Sequence, residues 1–99
     1  MSLTSELSPD GVVTIKITGN FDFGVHNSFR DAYEGKEESV SYVIDLSEAD
    51  FIDSSALGML LLLREHAGNL SERVVIRGAG DVIRKVLSNS KFDTLFKIE

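Results

Sequence analysis

The sequence contains no cysteine and no tryptophan, and only one proline and two histidines among its 99 residues. Without cysteine it can carry neither a disulfide framework nor a thiolate metal site. No apolar stretch approaches the roughly 20 residues needed to cross a bilayer; the run Met59–Leu63 is five residues long. No charged-then-apolar leader opens the chain, so the expected compartment is the cytoplasm and no membrane partner is expected. Basic residues are also few. Ten Lys and Arg face sixteen Asp and Glu, for a formal charge of −6. That balance argues against direct nucleic-acid binding and favours a protein partner with basic surface.

What remains is ordinary globular material, 42% hydrophobic and 26% charged. A chain of this length buries roughly 60–70% of its unfolded surface unaided, so a single domain over residues 1–99 is expected. No internal repeat or low-complexity tract interrupts it. Leu3–Leu7 alternates weakly, Ser8–Gly11 has turn chemistry, and Val12–Thr18 alternates around Val13, Ile15 and Ile17. Together they predict an opening hairpin. Gly19–Gly24 breaks the strand, and Val25–Gly35 reads as a helix with Val25, Phe29, Ala32 and Tyr33 on one face. Ser41–Leu46 suits a buried central strand. Residues 47–52 read as a loop leading to a second helix that Gly68 and Asn69 end. Arg73–Gly78 is another strand, and Asp81–Leu87 a helix with Asp81 as its N-cap. The tail reads as a helical turn and a short edge strand. An N-terminal hairpin followed by alternating helices and strands predicts an α/β domain with a mixed sheet and helices packed on it.

The second helix, within "FIDSSALGMLLLLREHA" (51–67), places two serines and an aspartate before its most apolar stretch. Ser54 or Ser55 can cap it by accepting a backbone N–H. At about 100° per residue, Ala56, Leu60, Leu63 and Ala67 form one stripe, the expected core face, with Met59 beside it. Ser54, Gly58, Leu61 and Glu65 form a second stripe opposite, flanked by Leu57 and Leu62. A helix apolar nearly all round needs cover on both sides, either from the domain's own helices or from a partner. Gly58, one turn from Ser54, would let another surface approach the hydroxyl.

"GNFDF" and "VIDLSEADFIDSSALGMLLLLRE" resemble the anti-sigma factor antagonists, whose fold is the STAS domain. The family pattern runs Gly-x-Leu-Asp, then an Asp-Leu strand end, then Asp-Ser-Ser/Thr-Gly-Leu-Gly at the second helix. The resemblance spans essentially the whole chain. It implies that Ser54 is phosphorylated by an anti-sigma factor serine kinase and that a metal-dependent serine phosphatase reverses the step. Asp22, Asp53, Ser55, Gly58 and Leu61 would then be partner-binding residues. The unphosphorylated form would capture the kinase and free a sigma factor. Two positions depart from the pattern: Ala56 stands for glycine and Phe21 for leucine. Both leave Ser54 in place and bear on which partner is recognised.

Phosphorylation would add about −1.5 to −2 charges to an apolar stripe near Asp22, Asp50 and Asp53, so it is expected to block docking without unfolding the domain. No cofactor and no metal are assigned, because His26 and His66 have no ligand at metal-binding spacing. "RGAGD" (77–81) lacks the lysine and length of a phosphate loop. An enzyme using Ser54 as nucleophile would need a base and an oxyanion hole, and no Gly-x-Ser-x-Gly elbow is present; the chain is therefore not expected to be an enzyme. The alternative is a STAS accessory subunit of a transporter or other signalling complex without a phosphoswitch.

Overall fold

The structure, a computed structural model, describes residues 3–37 and 39–99. Strand β1 (Leu3–Leu7) turns at Ser8–Gly11 into β2 (Val12–Phe21), antiparallel to it from Leu3↔Ile17 to Leu7↔Val13. Gly11 completes the turn at φ +83°, with its N–H donating to the Ser8 carbonyl, a conformation that glycine adopts without steric cost. Helix α1 (His26–Tyr33), strand β3 (Ser41–Ile52), helix α2 (Ser54–His66), strand β4 (Val74–Arg77), helix α3 (Asp81–Asn89) and strand β5 (Lys97–Ile98) come next along the chain. The sheet runs β1-β2-β3-β4-β5, with every pair after the hairpin parallel. This is the mixed α/β sheet expected from the order of elements.

One face of the sheet carries the core. Val13, Ile15 and Ile17 of β2, Tyr42, Ile44 and Leu46 of β3, and Val74 and Ile76 of β4 are all buried. They meet Phe29, Ala32 and Tyr33 of α1, Leu60 and Leu63 of α2, and Ile83 and Leu87 of α3 in one cluster. The alternate residues face the other way, where Thr14, Lys16, Val43 and Asp45 are only half-buried. β3 is therefore central but covered on one face, not on both as its composition suggests, because the three helices leave the far face open. Lys16 pairs there with Glu48 at 2.9 Å, and Arg77 approaches Asp45 at 3.9 Å.

Two strands extend beyond their expected ends. β2 continues through Gly19 to Phe21, and β3 continues through residues 47–52, which read as a loop in the sequence. The register shifts between Lys16 and Thr18 and again between Gly19 and Asn20. Each shift inserts one residue into β3, and the ladder resumes afterwards. Bulges of this kind bend a strand and re-aim the side chains beyond the bend. The α3 cap also differs: Gly80 is the N-cap, and Asp81 is the first helical residue, where its charge complements the helix dipole.

Candidate functional site

The paired residues Phe21 and Ile52 end the long β2–β3 ladder, and the Asp53 N–H donates to the Phe21 carbonyl at 3.4 Å. Asp22 and Asp53 come directly after this last pair, so two aspartates about thirty positions apart in sequence leave the sheet side by side. Carboxyl ends of parallel strands are where α/β sheets present their sites. The Asp22 carboxylate accepts the Gly24 N–H at 2.9 Å and opens a short 3-10 turn, Phe23–Val25. Its turn role and its place beside Asp53 are compatible. Asp50 lies within the second β3 bulge, between Ala49, paired with Gly19, and Phe51, paired with Asn20.

Asp53 is the N-cap of α2, with extended backbone at φ −118°. One carboxylate oxygen accepts both the Ala56 N–H at 3.0 Å and the Ser55 hydroxyl at 2.6 Å. These donors, the Ser55 hydroxyl foremost and the Ala56 amide next, hold the carboxyl below its usual range. The serine cap considered from the sequence is thus replaced by an aspartate cap. Either residue type is preferred at an N-cap, and the register of the strand end puts Asp53 there. Ser54, the first helical residue, is exposed, and its hydroxyl bonds to no group among the described residues.

Along α2 the two stripes separate as the wheel requires. Ala56, Met59, Leu60, Leu63 and Ala67 are buried. Ser54 and Gly58 are exposed, Leu61 is 42% exposed and Leu62 53%. The domain's other helices do not cover this side, so Leu62 joins the open face and Leu57 sits half-buried at its margin. Among the described residues no atom outside the helix lies within 4 Å of a Cβ built on Gly58. Phe23 (66% exposed) and Phe51 (50%) stand at the same end of the sheet as Ser54. The Phe23 ring stacks on His26 with centroids 4.6 Å apart. The sequence reading missed both aromatics, because a phenylalanine beside a strand reads as core and only tertiary placement shows it uncovered.

The two departures from the family pattern are buried. Phe21 is fully buried at the end of β2, in contact with Phe29 at 5.5 Å between ring centroids, and Ala56 is fully buried on the core face of α2. Both side chains pack in the core, so neither stands on the open face of α2.

Among the described residues neither histidine hydrogen-bonds to Ser54. His66, at the far end of α2 and about 18 Å along the helix at its usual rise, lies 3.1 Å from the Lys36 carbonyl and packs on Tyr33. His26 Nδ1 faces the Asn27 side chain at 3.4 Å. Among the described residues no three His, Cys, Asp or Glu converge on a metal-sized site, and no helix is long and apolar enough to cross a membrane. A surface cavity of about 460 Å³ lies between α3 and the C-terminal segment, lined by Arg84, Lys85, Ser88 and Ile98, and includes no residue of α2. In the 77–81 loop, Gly78 has φ +77°, and a Cβ there would lie 2.9 Å from the Ser47 Cβ. Close packing of the loop on β3 accounts for that glycine without an anion.

The family model described as "Mlab, STAS domain" matches residues 5–97. A STAS-domain containing protein of Pseudomonas aeruginosa (strain UCBPP-PA14) is 49% identical, with 99% of each chain covered. The solved structure of the anti-sigma factor antagonist SpoIIAA in its unphosphorylated form superposes with a TM-score of 0.72 at 18% identity. It covers 98% of this chain and 86% of SpoIIAA. A sulfate transporter family protein from Wolinella succinogenes superposes with a TM-score of 0.73 at 20% identity, covering 94% and 80%. At such identities these two likenesses concern the fold.

Proposed function

The chain belongs to the STAS domain family, and from that premise we propose that it is a single-domain anti-sigma factor antagonist in a partner-switching pathway. In this reading the unphosphorylated form binds an anti-sigma factor serine kinase, phosphorylation of Ser54 blocks binding, and a metal-dependent serine phosphatase restores it. The chain acts by binding in the cytoplasm, without catalysis and without touching nucleic acid or membrane.

One observation carries the reading: an exposed Ser54 hydroxyl, unbonded among the described residues, heads the open stripe of Gly58 and Leu61. Contiguous exposed apolar surface marks interaction sites. Asp22, Asp53 and Ser55 form the polar margin of the docking face, and Phe23 and Leu62 extend its apolar part. A phosphate on Ser54 places nearly two charges beside two carboxylates and on the surface that docking must desolvate. The two solved forms of SpoIIAA, unphosphorylated and phosphorylated, give a precedent within the same fold.

Incubation with ATP and a serine kinase of the anti-sigma class tests this. Mass spectrometry should find one phosphate, on Ser54, absent from Ser54→Ala. Phosphate on Ser55 of the wild type would remove the assignment. The fold of the Wolinella protein supports a second reading, a STAS accessory subunit of a transporter or other signalling complex without a phosphoswitch. There Ser54 stays unmodified and Ser54→Ala behaves as wild type.

A further inference from the structure

Two adjacent hydroxyls begin α2, and they stand in opposite states. The Ser55 hydroxyl is engaged at 2.6 Å by the Asp53 carboxylate, while that of Ser54 is exposed and bonds to no group among the described residues. The same carboxylate oxygen holds the Ala56 N–H at 3.0 Å. One carboxylate oxygen therefore takes the Ala56 N–H of the helix's first turn and ties up the second serine. Helix N-termini attract anions because their first N–H groups lack partners, and here a resident carboxylate already takes the one at Ala56.

We propose that Asp53 is the positioning residue of the phosphoacceptor site: it leaves Ser54 as the one hydroxyl open to a kinase and keeps the resulting phosphate off the Ala56 N–H, directed at the partner. The inference rests on the reading of Ser54 as the acceptor. Its physical content is a competition. A phosphate on Ser54 could take the Ala56 N–H only by evicting Asp53 from it. Eviction would also break the Ser55 bond. With Asp53 seated, the phosphate is kept from that donor and projects from the docking stripe, where its charge acts on an incoming surface.

The test uses two substitutions at one position and phosphoserine installed at residue 54 during translation, which bypasses the kinase. Asn retains an acceptor oxygen and is as good an N-cap as Asp, whereas Ala has none. Amide exchange of Ala56 is followed in the full chain. With Asp53 present, phosphoserine at 54 should leave Ala56 protection unchanged. Asp53→Ala should lower it several-fold, and phosphoserine at 54 in that variant should restore it, because the vacated helix end then takes the phosphate. Asp53→Asn should match wild type.

With the serine kinase and ATP, wild type and Asp53→Asn should be labelled on Ser54 alone. Asp53→Ala should divide the label between Ser54 and Ser55. A purely structural role would lower its melting temperature without moving the label. Ala56 protection altered by phosphoserine in the presence of Asp53, or a label confined to Ser54 in Asp53→Ala, would overturn the proposal. A wild type left unlabelled would instead overturn the acceptor reading, and the exchange measurements would still decide the part played by Asp53.

Discussion

Leu60 and Leu61 are consecutive on α2 and differ in surroundings: Leu60 is wholly buried in the core, and Leu61 is 42% exposed. Replacing each by alanine should therefore fail differently. Leu60→Ala opens a cavity and should cost on the order of 2–5 kcal/mol, a large share of a typical stability of about 5–15 kcal/mol. Leu61→Ala should melt near wild type but bind the kinase more weakly, because it removes apolar area that docking would bury. Thermal melts and partner titrations of the two variants check this.

Two glycines should respond to alanine with opposite signs. Gly58→Ala meets nothing within 4 Å and gains helix propensity, so it should stabilise the fold by up to about 1 kcal/mol. Its new methyl group on the docking stripe should nevertheless weaken partner binding. Gly78→Ala must hold φ +77° and crowd the Ser47 Cβ, Cα and N at 2.9–3.1 Å. It should destabilise by on the order of 1–3 kcal/mol and leave the affinity of the folded fraction unchanged. Urea unfolding of both variants gives the two signs.

Ser54→Ala removes a hydroxyl that bonds to nothing among the described residues, so its stability should lie within about 0.5 kcal/mol of wild type while partner binding becomes insensitive to ATP. Ser54→Asp supplies one charge where a phosphate supplies nearly two, so it should weaken binding incompletely. Calorimetric titration ranks the variants.

The depressed carboxyls make stability acid-sensitive. Asp53 is held down first by the Ser55 hydroxyl and then by the Ala56 amide, and Asp45 first by Ser47. A carboxyl lower in the folded state than in the unfolded chain contributes stability above the ordinary carboxylate range and loses it as pH falls through the folded value. Chemical unfolding should accordingly become easier on acidification from neutral pH to below about pH 4. The loss should be smaller in Asp53→Ala, which lacks one of the two groups. Lys16 has the opposite sign. Raised first by its hydrogen bond to Glu48 and then by that carboxylate's charge, it contributes below the ordinary lysine range and loses the contribution as pH rises through its folded value.

The split of α2 into a buried and an open stripe is legible in the sequence because a helix keeps a fixed angle between residues. The hairpin and the alternation of β2 are legible for the same reason, through period two. The ends of β2 and β3 are not legible. Gly19, Asn20, Ser47 and Asp50 have turn chemistry, and only pairing across the sheet through two bulges makes their segments strand. That pairing is non-local, yet it is what brings Asp22 beside Asp53. The caps fail for a related reason: Asp, Ser and Gly all serve at an N-cap, so one-residue register decides between Asp53 and Ser54, and between Gly80 and Asp81.

The most direct test of the switch is a titration of an anti-sigma factor serine kinase with this chain carrying either serine or phosphoserine at residue 54. The phosphoserine form should keep the same melting behaviour and bind about a hundredfold more weakly, equivalent to about 2.8 kcal/mol. Equal affinity of the two folded forms would contradict the account.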